Sequence, residues 1–117
     1  MVRFELSGHM HLSTRREPDA TIVLTASGDV DFSVADHLRA VALGLLASTE
    51  CRRLCLDLSS VSFLDSTGIS ALVAIRNAAQ ASTHTLLLRN PSKPVARLLD
   101  LTGLAPVFDI ESTGVHS

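Results

Sequence analysis

Leu54-Cys55-Leu56-Asp57-Leu58 and, a few residues on, Val61-Ser62-Phe63-Leu64-Asp65-Ser66-Thr67-Gly68-Ile69 form the stretch on which the fold turns. Leu54, Leu56 and Leu58 fall on one side of an extended chain, with Cys55 and Asp57 on the other. This is the alternation of a strand, opened by Arg52 and closed by Ser59-Ser60. A short apolar step from Val61 to Leu64 leads to Asp65-Ser66-Thr67-Gly68, where the period changes. Ile69, Leu72, Val73, Arg76, Ala78 and Ala79 recur as on a helix reaching about Ala81. A polar turn therefore sits at a helix N-terminus, directly behind a strand.

Working outward, Val34, Leu38, Val41 and Leu45 keep the helical period from Ser33 to Ser48, with Ser33 a candidate N-cap. Before it, Thr21 to Ser27 is rich in β-branched residues and runs into Gly28-Asp29-Val30-Asp31, read as a turn. Met1 to about Ser13 alternates weakly as an opening strand, and Thr14 to Asp19 reads as a charged turn. On the other side, Thr85-Leu86-Leu87-Leu88-Arg89 is an apolar run too short for a helix, so a buried strand is expected. Pro91-Ser92-Lys93-Pro94 opens a third helix through Val95, Leu98, Leu99 and Leu101, with Gly103 as its C-terminal cap. Pro106 to Ile110 suits a short last strand, and Glu111 to Ser117 a loose tail. The order β-β-α-β-α-β-α-β predicts an α/β fold. We expect a mixed, mostly parallel sheet of four to five strands covered by helices, with right-handed crossovers. The chain reads as a single domain over residues 1–117. Its core spans about 21–110, with 1–20 an opening strand and turn and 111–117 a tail.

The 117 residues, 46% of them hydrophobic, suffice for one core without disulfide or metal staples. Ten basic against twelve acidic residues give a net charge of -2, and no basic run exceeds the pairs Arg15-Arg16 and Arg52-Arg53, which argues against a nucleic-acid surface. Four Phe with no Trp or Tyr leave few stacking platforms. Arg3 and Glu5 interrupt the first apolar stretch and no window approaches a membrane span, so a soluble, cytoplasmic chain is expected.

Cys51 and Cys55 lack C-x-x-C spacing and read as free thiols. His9 and His11 share one face of the opening strand without a matching set of metal ligands, and His37 beside Asp36 reads as a solvated helix residue. No metal and no cofactor are expected. Phosphate loops of the G-x-x-x-x-G-K-[ST] and G-x-G-x-x-G types are absent, and no base is visible that would make Ser66 a nucleophile. The turn Asp65-Ser66-Thr67-Gly68 stands out. A helix N-terminus offers unpaired N–H groups and partial positive charge, and a hydroxyl there is a natural phosphate acceptor. Plain capping explains the same residues, and capping and phosphorylation are compatible. Gly68 in the first helical turn is unfavourable by roughly 1 kcal/mol against Ala, which points to close backbone approach or an unobstructed surface where a partner could dock.

Leu56 to Ile69, with Asp65-Ser66-Thr67-Gly68 at its centre, resembles the signature of the STAS domain family, specifically the bacterial anti-sigma factor antagonists. Gly28-Asp29-Val30-Asp31 resembles the family's G-x-x-D turn, and Asn90 to Leu104 its third-helix segment, so the likeness covers about Thr21 to Phe108. The resemblance implies phosphorylation of Ser66 by a partner that is both anti-sigma factor and serine kinase, and reversal by a serine phosphatase. The unphosphorylated protein would bind the anti-sigma factor and free a sigma factor. Asp29 and Asp31 are carried over as contact residues, with Asp65, Thr67 and Gly68 shaping the acceptor turn within the same partner-binding surface. The implied protein is not an enzyme, acts as a monomer or weak dimer, and contacts neither nucleic acid nor membrane. The competing expectation is an adaptor of the same fold, without a phosphorylation cycle, in a lipid-transport or stress-signalling assembly.

Overall fold

The computed structural model describes residues 2–6 and 10–112, so His9 lies outside the described residues. Its strands are β1 (Val2–Leu6), β2 (Met10–Glu17), β3 (Thr21–Val30), β4 (Arg53–Leu64), β5 (Thr85–Arg89) and β6 (Ile110–Glu111). Its helices are α1 (Phe32–Leu46), α2 (Ser66–Ala81) and α3 (Lys93–Leu101), with a 3-10 turn at Ala105–Val107. The strands lie side by side in chain order. The pairings β1-β2 and β2-β3 are antiparallel, and β3-β4, β4-β5 and β5-β6 are parallel. The α/β class and mixed sheet agree with expectation, but the described sheet has six strands where four to five were expected.

The added strand comes from the first twenty residues. Thr14-Arg15-Arg16-Glu17 is not a turn but the second half of β2, and the chain reverses over Pro18, Asp19 and Ala20, the last two with φ of 64° and 57°. The charges fit a strand because each arginine finds a carboxylate: Arg15 bonds Glu17 at 3.0 Å, and Arg16 reaches Glu50 beyond the end of α1. At the other end, the last strand lies at Ile110–Glu111, just past the expected Pro106–Ile110, and Glu111 pairs with β5. Helix α1 starts at Phe32, one residue ahead of the candidate cap Ser33. The Asp31 carbonyl accepts from Val34 N and Ala35 N at 3.2 and 3.0 Å.

From β3 onward every crossover moves one strand in the same direction. Connections of one hand then set all the intervening helices on the same face of the sheet. Ile22, Leu24 and Ala26 of β3, Leu54, Leu56 and Leu58 of β4, and Leu86 and Leu88 of β5 point to that face. There they form one core with Leu38, Leu72, Ile75, Val95 and Leu99 of the three helices. On the opposite face Val23 and Cys55 are fully buried although they lie outside this core. Their cover is ionic. Arg89 on β5 donates through Nε to Glu111 at 2.8 Å and through Nη1 to Glu17 of β2 at 3.1 Å, so its side chain crosses diagonally above the β3-β4 pair. The Arg89 hydrogen bond holds the Glu17 carboxyl below its usual range, and burial pushes the Cys55 thiol up to about 11.

Strand β4 outlasts its neighbour. It pairs with β5 only from Arg53 to Asp57 but follows β3 as far as Leu64. Beyond Asp57 the segment before α3 takes over, with Ser92 N on the Leu58 carbonyl at 3.2 Å and Ser92 Oγ on the Val61 carbonyl at 2.6 Å. The paired ends of β3 and β4 thus project past the body of the sheet.

If the ion pairs seal the helix-free face, Arg89→Ala should raise the rate at which a maleimide labels Cys55 by at least about tenfold, leaving buried Cys51 unchanged. Peptide mass mapping of labelled protein reads both. An unaltered Cys55 rate would mean that the strands alone exclude solvent there.

Candidate functional site

At this projecting end Gly28-Asp29-Val30 is not a turn, as the sequence suggested, but the last part of β3. The register slips against β4 between Thr25 and Ser27 and again between Gly28 and Asp29, and Gly28 has a φ of 94° that a side chain rarely tolerates. The irregularity turns Asp29 outward, where its Oδ1 accepts the Ser62 hydroxyl of β4 at 2.7 Å. Asp29 and Asp31 are both exposed.

Asp65 is the N-cap of α2, with extended backbone (φ −104°, ψ −172°). Its Oδ1 accepts from Thr67 N at 2.9 Å, Gly68 N at 3.1 Å and the Thr67 hydroxyl at 2.5 Å. Its own N–H bonds the Val30 carbonyl at 3.4 Å, and the backbone N–H of Phe32 also bonds Asp65, so the start of α1 is tied to the start of α2. Partial burial works to raise the Asp65 pKa, but these hydrogen bonds outweigh it and hold the carboxyl below its usual range. Two of the amides that might have received an anion, those of Thr67 and Gly68, are therefore already occupied by the protein's own carboxylate.

The remaining turn residues divide sharply. Ser66 is exposed at the first helical position, and its hydroxyl takes no part in the cap. Thr67 is half-buried with its hydroxyl committed to Asp65. Gly68 is buried, and a Cβ there would come within 2.3 Å of Leu64 Cδ1 and 3.3 Å of Val30 Cγ1. The close approach that Gly68 permits is thus internal, helix against strand, which is the first of the two readings that the sequence left open.

Two of the four phenylalanines frame the turn in the open. Phe32, the first residue of α1, is 78% exposed, and Phe63, beside the end of β3, is 48% exposed. Phe32 borders a groove of about 290 Å³ between α1 and α2 that reaches Thr67 and Ser70. Neither residue stood out in the sequence as a surface feature; the one available signal was an aromatic residue directly beside the acidic and hydroxyl cluster. His37 is exposed on α1, and among the described residues no group of three or more His, Cys, Asp or Glu could hold a metal ion. No helix among them is long and apolar enough to cross a membrane.

A strand leading into a capped Asp-Ser-Thr-Gly helix start, beside the acidic end of a parallel neighbour strand, defines a STAS domain. The chain belongs to that family, whose sequence profile matches residues 11–115. Over 97 residues, 83% of this chain and 87% of the relative, it is 30% identical to the anti-sigma-B factor antagonist of Bacillus subtilis. A crystal structure of an anti-sigma factor antagonist from Mycobacterium paratuberculosis superposes with a TM-score of 0.75 at 26% identity, covering 94% of this chain and 92% of that one. The fold is shared with SpoIIAA. Its unphosphorylated form gives a TM-score of 0.74 at 19% identity, with 88% of each chain covered. Its phosphorylated form gives 0.70 at 18%, covering 88% of this chain and 91% of that one.

Replacing the cap tests this account of the turn. Asp65→Ala should cost about 1 kcal/mol at neutral pH. Because the folded pKa is depressed, the stabilisation is present above the unfolded value near 4 and is lost as pH falls through the folded one. Urea unfolding at pH 7 and pH 3 should therefore show the gap between wild type and variant closing in acid.

Proposed function

We propose that this chain is an anti-sigma factor antagonist whose binding is switched by phosphorylation of Ser66. The observation that carries the reading is the division of labour in the turn: Ser66 is exposed and outside the cap, whereas the Thr67 hydroxyl is held by Asp65. The names of the relatives support the class, and SpoIIAA, which shares the fold, has been solved in a phosphorylated form. In this reading the unphosphorylated protein binds an anti-sigma factor that is also a serine kinase, and a sigma factor is released. The kinase then modifies Ser66 and the complex separates, until a serine phosphatase restores the hydroxyl. The protein works in the cytoplasm as a monomer or weak dimer, and as a binding partner rather than an enzyme.

The physics of such a switch follows from the site. Phe32 and Phe63 supply apolar contact area, and Asp29 and Asp31 supply negative charge, so the complementary surface is apolar and basic. A phosphate adds about −1.5 to −2 charges at neutral pH. The Thr67 and Gly68 amides are taken by Asp65 and cannot receive it. Its bulk and charge must then be borne by the interface. A loss of about 2–4 kcal/mol there weakens binding roughly 30- to 1000-fold.

Calorimetry with the purified kinase partner tests this directly. Ser66→Ala should bind like the unmodified protein and stay bound when ATP is added. Ser66→Asp should bind at least about tenfold more weakly, and Phe32→Ala should weaken binding and slow phosphorylation while the phosphate it does acquire still falls on Ser66. Equal binding by wild type and both Ser66 variants, or phosphate found on Thr67 by fragment mass spectrometry, would refute the proposal.

A further inference from the structure

The start of β4, eleven residues before its Ser66-proximal end, carries a second polar feature. Three connections meet there: the β2-β3 reversal at Asp19, the α1-β4 segment at Arg52 and Arg53, and the α2-β5 segment from Ser82 to Thr85. They enclose an open cavity of about 430 Å³, and every residue lining it is polar or charged.

The two arginines are unusual in this chain. Arg15, Arg16 and Arg89 are paired with glutamates, Arg39 with Asp36, and Arg76 with the Val107 carbonyl. Among the described residues the side chains of Arg52, Arg53 and Arg97 form no ion pair or hydrogen bond, and the first two border the same cavity. A second observation lies beside them. The Nδ1 of His84, which also lines the cavity, is enclosed and has no hydrogen-bond partner. Ser82 Oγ and Thr83 Oγ1 already donate, to the Ala78 and Ser82 carbonyls at 2.9 and 2.6 Å. The groups left on the lining are the two exposed guanidinium groups and the Thr85 hydroxyl, against the single carboxylate of Asp19, while the enclosed His84 Nδ1 lies between this cavity and the one bounded by Arg76 and Phe108.

We infer that this cavity binds a small hydrophilic phosphate ester. The phosphate would lie on Arg52 and Arg53, whose planar forks suit bidentate contact with its oxygens. Asp19 would accept a hydroxyl of the same molecule, which favours a sugar phosphate over a bare anion. The lining has no aliphatic side chain and only the His84 ring as an aromatic one, so it offers a nucleobase little apolar surface. The site lies at the opposite end of β4 from Ser66 and does not depend on the switch proposed there.

The test is a ¹⁵N NMR titration of the full chain at low ionic strength, where exposed charges are least screened, with glucose 6-phosphate, inorganic phosphate and glucose as separate probes. Saturable shifts confined to residues 19–20, 52–53 and 82–85, tighter for glucose 6-phosphate than for phosphate and absent with glucose, are expected. The exposed pair changed together, Arg52→Ser with Arg53→Ser, should raise Kd at least about tenfold while Tm stays within a few degrees. Arg53→Lys, which keeps charge but not the fork, should give an intermediate Kd. No saturable shift, shifts scattered over the surface, or an unchanged Kd in the double variant would overturn the inference. So would a double variant with lowered Tm and no response to any probe in the wild type, because the arginines would then serve only the carbonyl ends of the neighbouring helices.

Discussion

One carboxylate oxygen, Oδ1 of Asp65, accepts the amides of Thr67 and Gly68 and the hydroxyl of Thr67, and much of this end of the molecule is set by it. It draws Thr67 inward and leaves Ser66 out. Because Phe32 N–H also bonds Asp65, the two helices that border the groove start from a common point. The helix end can then rest against Leu64 and Val30 because residue 68 has no side chain. Had residue 65 been apolar, two amides at the start of α2 would lack a partner, and nothing in the turn would separate one hydroxyl from its neighbour.

The architecture explains why that end is available at all. Crossovers that step one way leave one face of the sheet without helices, and the protein closes it with a few long ionic side chains instead of a second layer. The same economy appears at the end of β4, where Ser92 substitutes for a neighbouring strand by bonding the Leu58 and Val61 backbone. Both devices leave the strand ends free of covering elements. In parallel sheets this carboxyl end is where chain reversals gather chemistry, and Asp29, Asp31 and Ser66 collect there for that reason.

Local chemistry made some of this readable in the sequence. Asp65-Ser66-Thr67-Gly68 carries its own capping logic, and the alternation of Leu54, Leu56 and Leu58 is a local period that tertiary contacts had no reason to override. The misreadings have particular causes. Gly28 beside Asp29 has the composition of a turn, yet here the glycine serves a bulge within a continuing strand. Thr14 to Glu17 looks too charged for a strand because the glutamates that pair its arginines come from Glu17 itself and from distant Glu50. The penalty that Gly68 pays in helix propensity was visible, but its beneficiary, Leu64, was not. The exposure of Phe32 and Phe63 is a property of how helices settle on the sheet, and no local pattern encodes it.

The occupied helix cap also bears on time. A phosphoryl group drawn into a ring of free amides would be sheltered from water and from other proteins, and its removal would wait on the opening of the helix end. Here the amides of Thr67 and Gly68 are spoken for, and Ser66 faces outward. A modification at Ser66 would stand in solvent, as easy to erase as to write. Its lifetime would be set by the enzymes that visit it and not by the protein that carries it, so the chain could follow a changing signal without retaining a memory of its own.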